Sequence, residues 1–257
     1  MKPILVANWK MQLSQAESVE RLTALRLGVK DFGYAVHMVV CPSFTALERA
    51  KETLITSKIQ LGAQDMFWAE QGAFTGEVSP TQLRELGVTH VILGHSERRE
   101  FLGETDKMVA QKVESAMAHG LTPIVCVGET AHQRNDNQQE SVIVQELERA
   151  LQCTPPPSEN QMLYVAYEPM WAIGTGEPAS PAQAELMRQV IVRTLQEKFG
   201  AELAAHRCGV LYGGSVDAEN ISHYVRPDSY QGALVGGAGL KPETFLALLT
   251  SIKQQFS

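Results

Sequence analysis

Three apolar runs in this 257-residue chain close on side chains able to do chemistry. "ILVANWK" brings Asn8 and Lys10, "VILGHSERR" carries His95, and "YVAYEP" carries Glu168. A glutamate at a water-poor strand end can act as a base that takes a proton from carbon. A neutral imidazole can donate a hydrogen bond to a developing oxyanion or carry a proton between adjacent oxygens. Lys10, beside the start of a helix, is opposed by the positive end of the helix dipole and gains if an anion faces it. Pro169 restricts Glu168 to an extended backbone and so fixes where the carboxylate points. Ser96 is placed to cap a helix begun by Glu97, which sets His95 beside a partial positive charge that disfavours imidazolium. Period-two alternation groups Asn8 with Lys10, Val91 and Leu93 with His95, and Tyr164 and Ala166 with Glu168. Each residue alone also has an ordinary reading: a snorkelling surface lysine, a capping or packing histidine, a salt-bridge glutamate.

Two later stretches resemble cradles for an anion. "YGGSV" (212–216) and "LVGGAGLKP" (234–242) contribute Ser215, Gly236, Gly237 and Gly239, and seven of the twenty glycines fall between 209 and 239. Glycine lets backbone N–H groups approach an anion closely, although either pair alone could be a tight turn. "YEPMWAIGTGEP" (167–178) follows Glu168 with Pro169, Met170, Trp171, Ala172, Ile173, Gly174, Thr175 and Gly176. Small and apolar, with glycines inside and prolines at its ends, it suits a rigid lid that excludes water, or else a surface connection with Trp171 packed down.

The elements that must position these residues alternate. Apolar runs at 4–8, 37–41, 59–63, 90–94, 123–127, 163–167, 209–213 and 232–236 are short and rich in Val, Ile and Leu, as in a parallel sheet covered on both faces. Helical patterns lie between them at 15–29, 139–151 and 180–199, the last opening with Ser180 and Pro181. Eight such units of about 32 residues predict a single (β/α)8 barrel domain over 1–257, with the site at the C-terminal strand ends. A doubly wound dinucleotide fold would place glycines in the first βα turn, which here reads "VANWKMQLS".

Hydrophobic content of 44% and charged content of 20% are globular values, and a net charge of −7 without a basic stripe argues against nucleic acid. Cys41, Cys126, Cys153 and Cys208 are scattered, and the seven histidines show no zinc-type spacing, so no metal is expected. The N-terminal apolar run is too short for a signal peptide or a membrane span, which predicts a cytoplasmic protein.

The motifs "NWK", "GAQD", "GAFTGE", "GHSERR", "LGETD", "CVGE", "YEPMWAIGTG", "YGGSV" and "LVGGA" run the length of the chain and resemble the triosephosphate isomerase family, the namesake of the TIM barrel. The resemblance implies a cofactor-free isomerase that interconverts D-glyceraldehyde 3-phosphate and dihydroxyacetone phosphate through an enediol(ate), in glycolysis and gluconeogenesis. It implies Glu168 as the base, His95 as the neutral electrophile, Lys10 as the cation and Asn8 as a hydrogen-bonding neighbour. Glu97 would belong to a charge network with Lys10. Gly174, Ser215, Gly236 and Gly237 would hold the phosphate, and residues 169–176 would be the lid. It further implies a homodimer in which the loop at 71–80, with Phe74, Thr75 and Gly76, enters a partner subunit. Departures from the family's usual residues are Gln12, Leu13, Met170, Glu177, Gln231 and Gly239. Gln12 and Leu13 would alter dimer packing, Met170 and Glu177 lid motion, and Gly239 would loosen or enlarge the pocket. That last change leaves a four-carbon sugar phosphate as the alternative substrate. A Schiff-base aldolase using Lys10, or a non-catalytic binder, fits these residues less well.

Overall fold

The computed structural model describes residues 2–32, 35–172 and 178–256. Eight parallel strands pair in chain order: β1 (Ile4–Asn8), β2 (His37–Cys41), β3 (Ile59–Ala63), β4 (Val88–Leu93), β5 (Thr122–Val127), β6 (Leu163–Tyr167), β7 (Cys208–Tyr212) and β8 (Gly232–Val235). β1 pairs with β8 and closes the barrel, giving the expected (β/α)8 architecture. Around it lie α1 (Gln15–Gly28), α2 (Leu47–Leu54), α3 (Pro80–Glu85), α4 (Ser96–Leu102), α5 (Asp106–Ala118), α6 (Ala131–Asn135), α7 (Gln139–Ala150), α8 (Pro181–Phe199), α9 (Ala201–Arg207) and α10 (Pro242–Gln255). The expected strands at 90–94, 209–213 and 232–236 each ran one residue too far. Gly94, Gly213 and Gly236 leave the ladder and begin the loops that build the site.

Helix starts follow local chemistry. Ser14, Ser79, Thr130 and Ser180 each cap a helix in a reciprocal box with Glu17, Gln82, Gln133 and Gln183. Two backbone N–H groups that the helix leaves unpaired are satisfied at each start, and Pro80 and Pro181 occupy positions where no N–H is needed.

Alternation then sorts the strands into two apolar layers. Ile4, Val6, Val39, Cys41, Ile124 and Leu211 fill the barrel, while Leu5, Ala7, Val40, Val91, Leu93 and Val125 pack outward against the helices. A buried charged cluster ties the loop after β3 to α4 and α5. Lys112 Nζ lies 2.8 Å from Asp65 Oδ1 and also bonds Glu104, while Arg98 reaches Asp65 at 2.8 Å and Glu104 at 3.2 Å. Two cations balance two carboxylates there, so no charge is buried uncompensated.

The inward face of β4 also carries His90, which is buried, with Nδ1 2.8 Å from Thr89 Oγ1 and its ring 6.4 Å from that of Tyr164. Burial, and then the charge of His37, pushes its pKa down to about 4. The folded state therefore refuses a proton that the unfolded chain takes up near pH 6.5, and stability is lost as pH falls from about 6.5 to 4, by about 3 kcal/mol in all. Asp65, raised to about 6 by burial, acts in the opposite sense, so the comparison must be made within one background. Thermal unfolding at pH 7 and pH 4.5 should show a smaller acid-induced drop for His90→Gln than for the parent. An equal drop would show that His90 is not the acid-sensitive group.

Candidate active site

β1 delivers Asn8 and Lys10 to the mouth of the barrel on the same side as Ile4 and Val6, as alternation predicts. Lys10 lies just past the strand with φ at +50°, a left-handed conformation that a non-glycine residue adopts only when its surroundings hold it. The hold is visible: Lys10 N–H donates to Asn8 Oδ1 at 3.0 Å, and Gln64 Nε2 donates to Lys10 O at 2.8 Å. Lys10 Nζ lies 2.5 Å from Glu97 Oε1, so the expected link between them is present.

His95 reaches the cavity by a different route from the one alternation suggests. Val91 and Leu93 face outward to the helices, and His95 would follow them if the strand continued. Gly94 adopts φ +71°, which breaks the alternation and turns His95 inward. The cap also differs from expectation. His95, not Ser96, is the N-cap of α4, and its Nδ1 accepts the Glu97 N–H at 3.2 Å. An accepting Nδ1 assigns the proton of a neutral ring to Nε2.

That Nε2 lies 3.2 Å from Glu168 Oε1, while Glu168 Oε2 accepts the Ser96 N–H at 2.9 Å. Glu168 is only 2% exposed. Two consecutive N–H groups of the first turn of α4 thus hold the imidazole and the carboxylate, where the helix dipole favours an anion and an unprotonated nitrogen. Beneath them, burial and then the charge of Glu168 push the Cys126 thiol well up, so it stays protonated.

Asn8, Lys10, His95, Glu168, Ser215 and Gly237 line one cavity of about 250 Å³. Gly236 also lines it, beside Lys10, and a side chain added at Gly237 would meet nothing within 4 Å, so that wall is bare backbone. Gly239 does not enlarge the cavity. A Cβ there would lie 2.8 Å from that of Ala7, behind the wall, and its carbonyl accepts Trp9 Nε1 at 2.8 Å. Gln231 is also remote in role: its side chain accepts the Val210 N–H at 2.7 Å, within the barrel framework.

Of the expected lid, Ile173, Gly174, Thr175 and Gly176, with Glu177, lie outside the described residues. Pro169 follows the base directly, and Met170, Trp171 and Ala172 form a single 3-10 turn. Met170 N–H donates to Glu129 O at 3.1 Å and Trp171 Nε1 to Glu129 Oε1 at 2.8 Å. Ser215 Oγ donates to Ala172 O at 2.8 Å, so this hydroxyl touches the 3-10 turn as well as the cavity. Past the undescribed stretch, Ala179 N–H donates to Tyr212 Oη at 3.2 Å and Ala179 O accepts Tyr224 Oη at 2.6 Å. Gln64, Glu129 and Tyr212 escaped the sequence reading. Each acts through a partner distant in sequence, and only the motifs "GAQD", "CVGE" and "YGGSV" hinted at them.

Phe74, Thr75 and Gly76 stand apart from the cavity on an exposed loop, with the Phe74 ring 4.4 Å from that of Phe67. Among the described residues no three His, Cys, Asp or Glu side chains gather as a metal site. The cavity therefore offers a buried carboxylate, an imidazole N–H and an ammonium converging beside a backbone-lined wall. These are the parts needed to move a proton on carbon while stabilising an oxyanion.

Comparison with known proteins agrees with that chemistry. A family model described as triosephosphate isomerase matches residues 3–252. The triosephosphate isomerase of Roseiflexus castenholzii (strain DSM 13941 / HLO8) is 44% identical over 253 residues, spanning 98% of each chain. That of Carboxydothermus hydrogenoformans (strain ATCC BAA-161 / DSM 6008 / Z-2901) is 45% identical over 249 residues, covering 96% of this chain and 98% of its own. The crystal structure of triosephosphate isomerase from Bartonella henselae superposes with a TM-score of 0.86 at 33% identity, covering 98% of this chain and 99% of that one. A match over nearly the whole length, at this identity and with this fold, is decisive: the chain belongs to the triosephosphate isomerase family.

Proposed function

We propose that Glu168, His95 and Lys10 carry out in this cavity the reaction of the family to which the chain belongs, the interconversion of D-glyceraldehyde 3-phosphate and dihydroxyacetone phosphate. The observation that carries the assignment is the 3.2 Å approach of Glu168 Oε1 to His95 Nε2 in a cavity that Lys10 shares. Glu168 takes a proton from the carbon beside the carbonyl and the electron pair moves onto oxygen. The resulting enediolate is met by the Nε2–H of His95 and the charge of Lys10. His95 moves a proton between the two oxygens, and Glu168 returns its proton to the neighbouring carbon, so no cofactor is consumed. Asn8 and Glu97 hold Lys10 in place, through its backbone and its ammonium respectively.

The substrate phosphate is assigned to the backbone of Gly236 and Gly237 with Ser215, completed by Gly174 from the lid. The residues from Pro169 to Gly176 would close over the intermediate and exclude water, because an exposed enediolate phosphate eliminates its phosphate. A four-carbon substrate finds no support, since Gly239 adds no room to the cavity.

The wider reading is a cytoplasmic enzyme of glycolysis and gluconeogenesis whose residues 1–257 act as one barrel domain. No helix among the described residues is long and apolar enough to cross a membrane. The reading includes a homodimer. Met11 (95% exposed), Phe74 (46%), Phe101 (71%) and Leu102 (65%) are bare apolar side chains at the C-terminal side of β1, β3 and β4. Exposed apolar side chains of this kind fit burial against a second copy, with Thr75 entering the partner.

Glu168→Gln, which removes the base but keeps its shape, should lower kcat on glyceraldehyde 3-phosphate by roughly 10²–10⁴-fold. Parental turnover in that variant would remove Glu168 from the mechanism. In sedimentation velocity at micromolar concentration the parent should run as a dimer and Thr75→Arg as a monomer of much reduced activity. A monomeric parent, or a variant as dimeric as the parent, would contradict the assembly.

A further inference from the structure

We propose that Glu146, on the outer helix α7, is a positioning residue for the base: it fixes the end of β5 against which the backbone of Glu168 lies. The proposal rests on the reading of Glu168 as the base. Glu146 is part-buried as a residue, with its carboxylate turned inward, where Oε2 accepts the Gly128 N–H at 3.0 Å. Gly128 is the first residue past β5. A Cβ there would fall 1.7 Å from the carbonyl oxygen of Glu168 and 3.2 Å from its Cα, so the two backbones are in direct contact. The same turn accepts the Glu168 N–H on Val127 O at 2.8 Å. On the opposite flank Gly213 N–H donates to Tyr167 O at 2.8 Å, and a Cβ at 213 would lie 2.9 Å from Glu168 Cγ. The base is thus gripped between two bare backbones, and Glu146 braces one of them from outside the barrel.

Other groups around Glu146 determine what can replace it. Burial raises its pKa to about 7, against Arg99 and the Gly128 N–H, which lower it, with Asp106 and Glu168 adding to the rise. Arg99 is itself committed, through Nε to Gly94 O at 2.8 Å and Nη1 to Asp106 Oδ1 at 2.6 Å. Protonated or not, the Glu146 side chain keeps an acceptor oxygen for Gly128, and a glutamine keeps one too. An apolar side chain does not. It would leave a buried N–H unpaired and free the turn to shift, and a misplacement of about 1 Å at a reacting group can cost on the order of 100-fold in rate.

The test compares kcat and KM on glyceraldehyde 3-phosphate at neutral pH for the parent, Glu146→Met (length kept, acceptor lost) and Glu146→Gln (acceptor kept). Glu146→Met should lose about tenfold or more in kcat with KM within about twofold, while Glu146→Gln stays within about twofold of the parent. Parental kcat in Glu146→Met, or a Glu146→Gln as slow as Glu146→Met, overturns the proposal. Hydrogen exchange at Gly128 gives a second reading that needs no folded Met variant. Its amide should be protected in the parent and in Glu146→Gln, and exchange as fast as an exposed amide in either overturns the proposal. If instead Glu168→Gln kept parental turnover while Gly128 stayed protected, the failure would lie with the base and not with its brace.

Discussion

The first turn of α4 is the constraint on which the site depends. Its backbone N–H groups at Ser96 and Glu97 have no carbonyl four residues back, and each takes an active-site group: Glu168 Oε2 at 2.9 Å and His95 Nδ1 at 3.2 Å. Unpaired helix donors are ordinarily satisfied by a capping hydroxyl or by water. Here they are satisfied by the carboxylate proposed as the base and the imidazole proposed to meet the oxygen. The same two bonds place the Glu168 carboxyl group at the positive end of a helix and assign the ring proton to the nitrogen that faces it. Gly94 makes this possible, since only its left-handed backbone turns the strand end so that His95 caps the helix and looks into the barrel.

Around that turn, neighbouring strand ends hold Glu168 and the turn that follows it. β5 supplies Val127 O to the Glu168 N–H, and Glu129 to the turn that follows. Glu129 Oε1 accepts from Tyr167, Trp171 and Arg134 at 3.0, 2.8 and 2.7 Å, so one buried carboxylate joins β6, the turn Met170–Ala172 and α6. Arg134 also lies over the Trp171 ring, 4.8 Å from its centroid. Hydrogen bonds to a carboxylate are stronger than those between neutral groups, so this junction is firmly held. β7 holds Ala179 through Tyr212, whose ring stacks on Tyr224 at 4.1 Å. The turn Met170–Ala172 and Ala179 are therefore tied to the ends of β5 and β7, the two strands that flank Glu168.

Much of this was legible in the sequence. The eight apolar runs matched the strands because buried parallel strands carry a dense local signal, and Ser180 with Pro181 marked the start of α8 correctly. Asn8 and Glu168, at the ends of β1 and β6, were placed by alternation, and Lys10 shares their cavity although it lies past its strand with positive φ. The same rule failed at His95, because a glycine with positive φ intervenes and no pattern in "VILGHSER" announces the backbone angle. Glu129, Gln64 and Glu146 were missed because their partners lie 42, 54 and 18 residues away in the chain. Gly239 was misjudged for a related reason: the direction in which a missing side chain would point is a property of the fold.

Nitrogen NMR of the His95 imidazole decides whether the first turn of α4 puts the ring proton on Nε2. At neutral pH the geometry predicts an unprotonated Nδ1 that accepts a hydrogen bond from the Glu97 amide, and a protonated Nε2. A proton on Nδ1, in either the other tautomer or an imidazolium, would contradict it.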